Sequence, residues 1–370
     1  MNKLFLRLSY FIFICTLLTG CLGKGHSNRH DLQQKEPVDT RERIAMLERW
    51  KKAVVHLEGA SDSEHIYDFI KRLERLRQQL EKKEISWEQF IQESSQHNRD
   101  IRHHGTALFV THKGKRYLVT ARHVLFDEAS AKRELQEEIN RIGSWPQDRH
   151  KDMILSAQER LSDRIFNIIF RVPSLDEFLA AKPDSHREFL MNLGAGGPNA
   201  YTFSRPDYDL AVIGLDQRNA RFAEELIKVG YVPIESDLIG DESSTEGSDV
   251  FTVGYPSSTA LLGQVNLPPG TVNWTSPYFS LPVFAFGKVS MINRNLPFFW
   301  SDMSIYPGNS GGPVIQEGKL IGVVSAQATV PIDDFPNIRT RIPFAKIIEA
   351  KYVSQLLEIQ AEKDQHWLRK

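Results

Sequence analysis

The sequence predicts an all-β core, with helical insertions in its N-terminal half and a helix at its C-terminus. Three patterns lead there. From Asp209 onward short apolar runs recur between turn residues: Leu210 to Leu215, Val250 to Val253, Val283 to Phe286, Val314-Ile315 and Leu320 to Val324. That spacing is typical of antiparallel strands. Upstream, Thr106 to Val110 and Tyr117 to Thr120 flank His112-Lys-Gly-Lys115, a hairpin signature with glycine in its turn. Between these β blocks lie two highly charged stretches, 61–95 and 128–165, whose apolar residues follow a helical period instead.

Composition bounds the function. With 370 residues, 41% hydrophobic and 25% charged, the chain can bury a core and differs from disordered sequences. Lys+Arg 46 against Asp+Glu 47 leaves a net charge of -1, so no global field draws it to nucleic acid or to anionic lipid. Two cysteines exclude a disulfide scaffold and a multi-cysteine zinc module. His103-His104 are adjacent, not spaced i, i+4 as in a zinc helix, so neither metal nor other cofactor is expected.

The elements follow in chain order. Lys3 and Arg7 precede the apolar run Leu8 to Leu18, which is shorter than the roughly 20 residues a spanning helix needs and has the form of a secretory signal. Its end, Leu18-Thr19-Gly20-Cys21, resembles the lipobox of bacterial lipoproteins. That resemblance implies a signal over 1–20 and lipidation of Cys21, placing the chain in the bacterial cell envelope. Leu22 in place of aspartate leans toward the outer membrane, facing the periplasm. Residues 21–43 are polar and aperiodic, as in a tether. Ile44, Leu47 and Trp50 then have helical spacing, and Ala53 to Leu57 reads as a strand. Ser61 to Glu64 and Ser86 to Gln89 match capping boxes that open helices. The first helix carries Ile66, Phe69, Ile70, Leu73, Leu76 and Leu80 on one side. The pair forms a helical insertion that covers the core and offers surface to a partner protein. Gly194 to Pro198 reads as a plain loop, and Ala345 to Ile359 as an amphipathic helix.

Three motifs carry chemistry. In Tyr306-Pro-Gly-Asn-Ser310-Gly-Gly-Pro313, glycines leave the serine hydroxyl uncovered, and the N–H groups of Gly308 and Ser310 can converge on one oxyanion. Tyr117-Leu-Val-Thr-Ala-Arg-His123 ends an apolar strand on a histidine. Ser204-Arg-Pro-Asp-Tyr-Asp209 sets a carboxylate at the mouth of another. A serine needs a base to take its proton, and the base needs an acid to hold its tautomer. Gly308 to Gly312 also fits the G-x-S-x-G elbow of α/β-hydrolases. That fold, however, requires a later histidine and a strand-to-helix turn. Only His366 follows Ser310, and strand, turn and strand follow the elbow.

Thr-Ala-Arg-His123, Asp209-Leu-Ala-Val and Gly-Asn-Ser310-Gly-Gly-Pro together resemble the trypsin-like (chymotrypsin-fold) serine peptidases, over about residues 53–59, 105–126 and 200–347. The resemblance implies two antiparallel six-stranded barrels. The first spans 44–218, with insertions at 61–95 and 128–165; the second spans 219–347; a C-terminal helix and tail occupy 348–370. It implies Ser310 as nucleophile, His123 as general base and Asp209 as orienting acid. Gly308 and Ser310 would supply the oxyanion hole, and Ser304, Ser325, Ala326 and Gln327 would border the pocket for the residue before the cleaved bond. No acid stands at Ser304, and Val324 replaces the histidine of glutamate-preferring relatives, so a small or medium apolar residue is expected there. The expected activity is that of a membrane-tethered serine endopeptidase acting on proteins or peptides. The alternative is a catalytically silent envelope lipoprotein that uses the fold as a binding scaffold.

Overall fold

The computed structural model describes residues 38–368 except 63–65, 95–98, 146, 181–189, 194–198, 241–244, 265–275 and 334. Cys21, the signal, most of the tether and the loop Gly194 to Pro198 lie outside the described residues, as does part of the first capping box. Two units are distinguished, 1–42 and 43–370. Of the first, the described part is the start of helix α1, Val38–Ala53, so helix begins inside the stretch read as tether.

Eight strands build the N-terminal sheet: β1 Val54–Asp62, β2 Arg99–His112, β3 Lys115–Ala121, β4 Ile168–Arg171, β5 Leu190–Asn192, β6 Tyr201–Phe203, β7 Leu210–Gly214 and β8 Ile234–Glu235. Seven run in the order β5-β4-β1-β2-β3-β7-β6, while β8 pairs with β2. The expected β2–β3 hairpin is present. Lys113 (φ 48°) and Gly114 (φ 71°) occupy its turn, the two positive φ angles that match a two-residue loop to strand twist. Strand β1 is longer than its apolar run and continues into the read capping box. The second box forms as read: Ser86 N–H donates to Gln89 Oε1 (2.9 Å) and Gln89 N–H to Ser86 Oγ (3.2 Å).

Six strands form a closed C-terminal barrel, β12-β13-β16-β15-β14-β9. They are β9 Asp249–Gly254, β12 Val283–Ile292, β13 Phe298–Ser301, β14 Pro313–Gln316, β15 Lys319–Ile332 and β16 Phe335–Glu349; β10 Leu261–Gln264 and β11 Tyr278–Ser280 pair outside it. The two-barrel expectation therefore holds, with the first built as a curled sheet of eight strands rather than six. Strand β16 occupies the first five residues of the predicted terminal helix, Ala345 to Glu349. That helix, α9 Lys351–Leu368, begins later because Ala345, Ile347 and Ile348 are buried in the second barrel.

The other helices are α2 Ile66–Glu81, α3 Trp87–Ser94, α4 Arg122–Leu125, α5 Glu128–Ile142, α6 His150–Leu161, α7 Leu175–Ala180 and α8 Ala220–Lys228. Each predicted insertion thus contains a helix pair. One core cluster joins the two halves: Trp50, Val54, Leu108 and Val119 meet Val253, Ile315, Val323, Val353 and Leu357. At about 1.5–3 kcal/mol for each fully buried aliphatic or aromatic side chain, this shared layer fixes one half against the other without a disulfide. Both cysteines precede residue 38.

Candidate active site

Strand register, not sequence proximity, assembles the site. Ala121 of β3 lies opposite Leu210 of β7, so the residues just beyond, His123 on α4 and Asp209 before β7, meet although 86 positions separate them. Arg122 N–H donates to Asp209 C=O at 3.0 Å. Asp209 has φ 44°, a left-handed conformation that aspartate tolerates better than most residues. His123 Nδ1 lies 2.8 Å from Asp209 Oδ2 and 3.1 Å from Oδ1, and His123 N–H donates to Oδ1 at 3.0 Å. A carboxylate so placed holds the proton on Nδ1 and leaves Nε2 as the free, basic nitrogen.

Ser310 sits in a turn between β13 and β14. Asn309 N–H bonds Tyr306 C=O, Gly312 N–H bonds Asn309 C=O, and Gly311 N–H bonds Val324 C=O. Gly308 has φ 100°, and a Cβ there would stand 2.1 Å from the Tyr255 carbonyl oxygen. At Gly311, a Cβ would stand 1.9 Å from the Thr106 carbonyl oxygen. Neither position admits a side chain. Among the described residues, no acceptor takes the N–H of Gly308 or Ser310 within the turn. Both donors therefore remain available to an anionic oxygen.

His123, Asp209, Gly308 and Ser310 line one cleft of about 440 Å3, with His103, His104, Ile305, Tyr306, Pro307, Ser325, Ala326, Gln327, Thr329 and Arg341. The Ser310 hydroxyl donates to the Ser325 carbonyl at 3.2 Å. Burial and the nearby His123 hold the His103 pKa below the ordinary histidine value. Among the described residues no cluster suited to a metal ion occurs.

Three of the four pocket residues expected from resemblance line the cleft; Ser304 does not. Burial alternates from Ser301 to Ile305, with Met303 and Ile305 in the barrel core and Ser304 exposed, so the period of two turns its side chain outward. Ser325 also makes a bond that the resemblance did not imply: its Oγ donates to Asp209 Oδ2 at 2.6 Å. It thus supports the carboxylate while lining the cleft.

Thr106 has no counterpart among the predicted site residues. Its N–H donates to Ser310 C=O (2.8 Å) and its Oγ1 to Gly308 C=O (2.8 Å), while Oγ1 accepts from Tyr255 N–H (3.0 Å). Strand β2 of the first half thereby holds the serine turn of the second.

The family model of the trypsin-like peptidase domain matches residues 105–323, the span that contains all three motifs. The chain belongs to the trypsin-like peptidase family. This family member is also similar to curated proteins named "Serine protease HtrA-like" from Staphylococcus aureus. With that of strain USA300 it is 38% identical over 76 residues, 16% of this chain and 10% of the relative. With that of strain bovine RF122 it is 31% identical over 116 residues, 31% of this chain and 14% of the relative. The trypsin-like chain therefore spans only about a tenth to a seventh of the length of these relatives.

Proposed function

We propose that the protein is a serine endopeptidase that hydrolyses peptide bonds through an acyl-enzyme. Ser310 is the nucleophile, His123 the base and then the acid, and Asp209 the residue that orients His123. What supports the reading most directly is the pairing of His123 Nδ1 with Asp209 at 2.8 Å in the cleft that also holds the glycine-flanked Ser310. In the first step the Ser310 hydroxyl turns from the Ser325 carbonyl to His123 Nε2, which takes its proton as Oγ attacks the carbonyl carbon. The N–H groups of Gly308 and Ser310 receive the resulting oxyanion. His123 then protonates the leaving amine, and water, deprotonated by the same nitrogen, cleaves the acyl-serine. Asp209 stabilises the imidazolium throughout. Ile305 and Ala326 in the cleft favour a small or medium apolar residue before the cleaved bond.

A fluorophosphonate probe tests the assignment. The wild type is expected to be labelled on Ser310, and Ser310→Ala to abolish labelling and lower kcat by on the order of 10⁶. An unlabelled wild type, inert toward peptides, would point to the silent scaffold.

We also infer that the peptidase is tethered to the bacterial envelope through lipid on Cys21. Support comes from the basic start, the apolar run and Leu18-Thr-Gly-Cys21. Among the described residues no helix is long and apolar enough to cross a membrane. Cys21→Ser is expected to move the protein from the membrane fraction to the soluble one. Retention in the membrane fraction would remove the lipid anchor from this account.

A further inference from the structure

Beyond Val324, strand β15 pairs with β16 alone, so among the described residues its other edge is open. That edge begins at the nucleophile, where the Ser325 carbonyl accepts from Ser310 Oγ. Ser325, Ala326, Gln327 and Thr329 line the cleft in turn, and four residues of extended chain cover about 13 Å. A peptide added antiparallel to β15 arrives from the Thr329 end and presents its acyl half along this edge.

At the far end of the edge is a charge that the proposed mechanism does not use. Arg341 lies opposite Thr329 across the β15–β16 hairpin, is exposed, and lines the same cleft. It is the one permanent cation among the cleft-lining residues. The only carboxylate there, Asp209, has its two oxygens engaged by His123 and Ser325. Two residues earlier, and on the same strand face, Arg339 donates to Thr329 Oγ1 and Thr329 C=O, both at 2.8 Å. It adds positive charge and braces the hairpin. A planar guanidinium receives a carboxylate in a two-pronged hydrogen bond.

We infer that the cleft selects polypeptides bearing an acidic side chain three to five residues before the cleaved bond, held by Arg341. The inference builds on the peptidase reading of the same site, but binding tests it without catalysis. Full-length chain carrying Ser310→Ala is titrated with fluorescent peptides that differ only in Glu, Gln or Lys at those positions. The Glu peptide is expected to bind about two- to fivefold more tightly than the Gln peptide, the size of a solvent-exposed ion pair. The margin should shrink as salt rises toward about 0.5 M. Adding Arg341→Gln should erase it, Arg341→Lys should keep part of it, and Arg341→Glu should turn the preference to Lys. Equal binding of Glu and Gln peptides, or a preference unchanged in Arg341→Gln, would overturn the inference.

Cleavage by the chain with Ser310 intact is measured in parallel. Acid-selective binding without Ser310-dependent cleavage keeps the Arg341 inference and sinks the peptidase reading. Cleavage that ignores the acid does the reverse.

Discussion

Thr106 sets the geometry of the candidate site through one hydroxyl that both donates and accepts. Its Oγ1 satisfies the Gly308 carbonyl and the Tyr255 N–H, and Thr106 is fully buried. Replacing Thr106 by valine keeps the shape but strands both backbone groups away from water, at about 1–3 kcal/mol each. Thr106→Val is therefore expected to lower unfolding stability by about 2–6 kcal/mol, measured by chemical denaturation. On the peptidase reading it should also lower kcat, because the Gly308 carbonyl loses a bond that holds the serine turn in place. Nothing in Gly105-Thr106-Ala107 announces this. A threonine within a strand is common, and its partners lie 202 and 149 residues away. By contrast, His123, Asp209 and Ser310 were legible because the chemistry demands rare surroundings: a serine between glycines, a histidine ending an apolar strand, and an acid opening one.

Among the elements, apolar runs and turn residues located the main strands, and helical spacing with the capping box Ser86 to Gln89 located the insertions. Pairing was harder to read. The β3–β7 register brings His123 to Asp209, yet it depends on which face of each strand meets the core, and both strands are almost entirely buried. A strand hidden on both faces shows no alternation to count. Ala345 to Ile348 was misread for a related reason. The barrel buries Ala345, Ile347 and Ile348, and so short an apolar stretch suits helix or strand until its neighbours are known. The second insertion is tied beside the site: Phe166 N–H donates to Leu125 C=O at 3.0 Å, Asp127 N–H donates to Arg164 C=O at 2.9 Å, and Arg122 reaches Ser162 C=O and stacks over Phe126 and Phe203. The insertion is thus fastened at its root, on the helix that carries His123.

Across the molecule, stability should fall in mild acid. His56 is fully buried between Tyr255, stacked at 4.7 Å, and His104 at 5.4 Å, and neither ring nitrogen has a partner among the described residues. Burial, with His104 nearby, lowers its pKa well below 6.5. The unfolded chain therefore binds a proton that the folded chain refuses, between the unfolded value of 6.5 and the lower folded one. Stability is full above that window and declines as pH falls through it, by at most about 1.4 kcal/mol per pH unit for one proton. His103, also lowered, acts in the same direction. Thermal melts from pH 7.5 to 5.5 should show a falling Tm, and His56→Phe should flatten that slope whatever it does to the absolute value. A slope unchanged by the substitution would assign the effect to other groups.

The clamp from β2 onto the serine turn has a consequence in time. A chain in which only the C-terminal barrel has closed already contains Ser310, but His123 and the strand that holds the serine turn belong to the other half. On the proposed peptidase reading, competence to cut therefore arrives only when the halves dock, and a partly folded molecule carries no working blade.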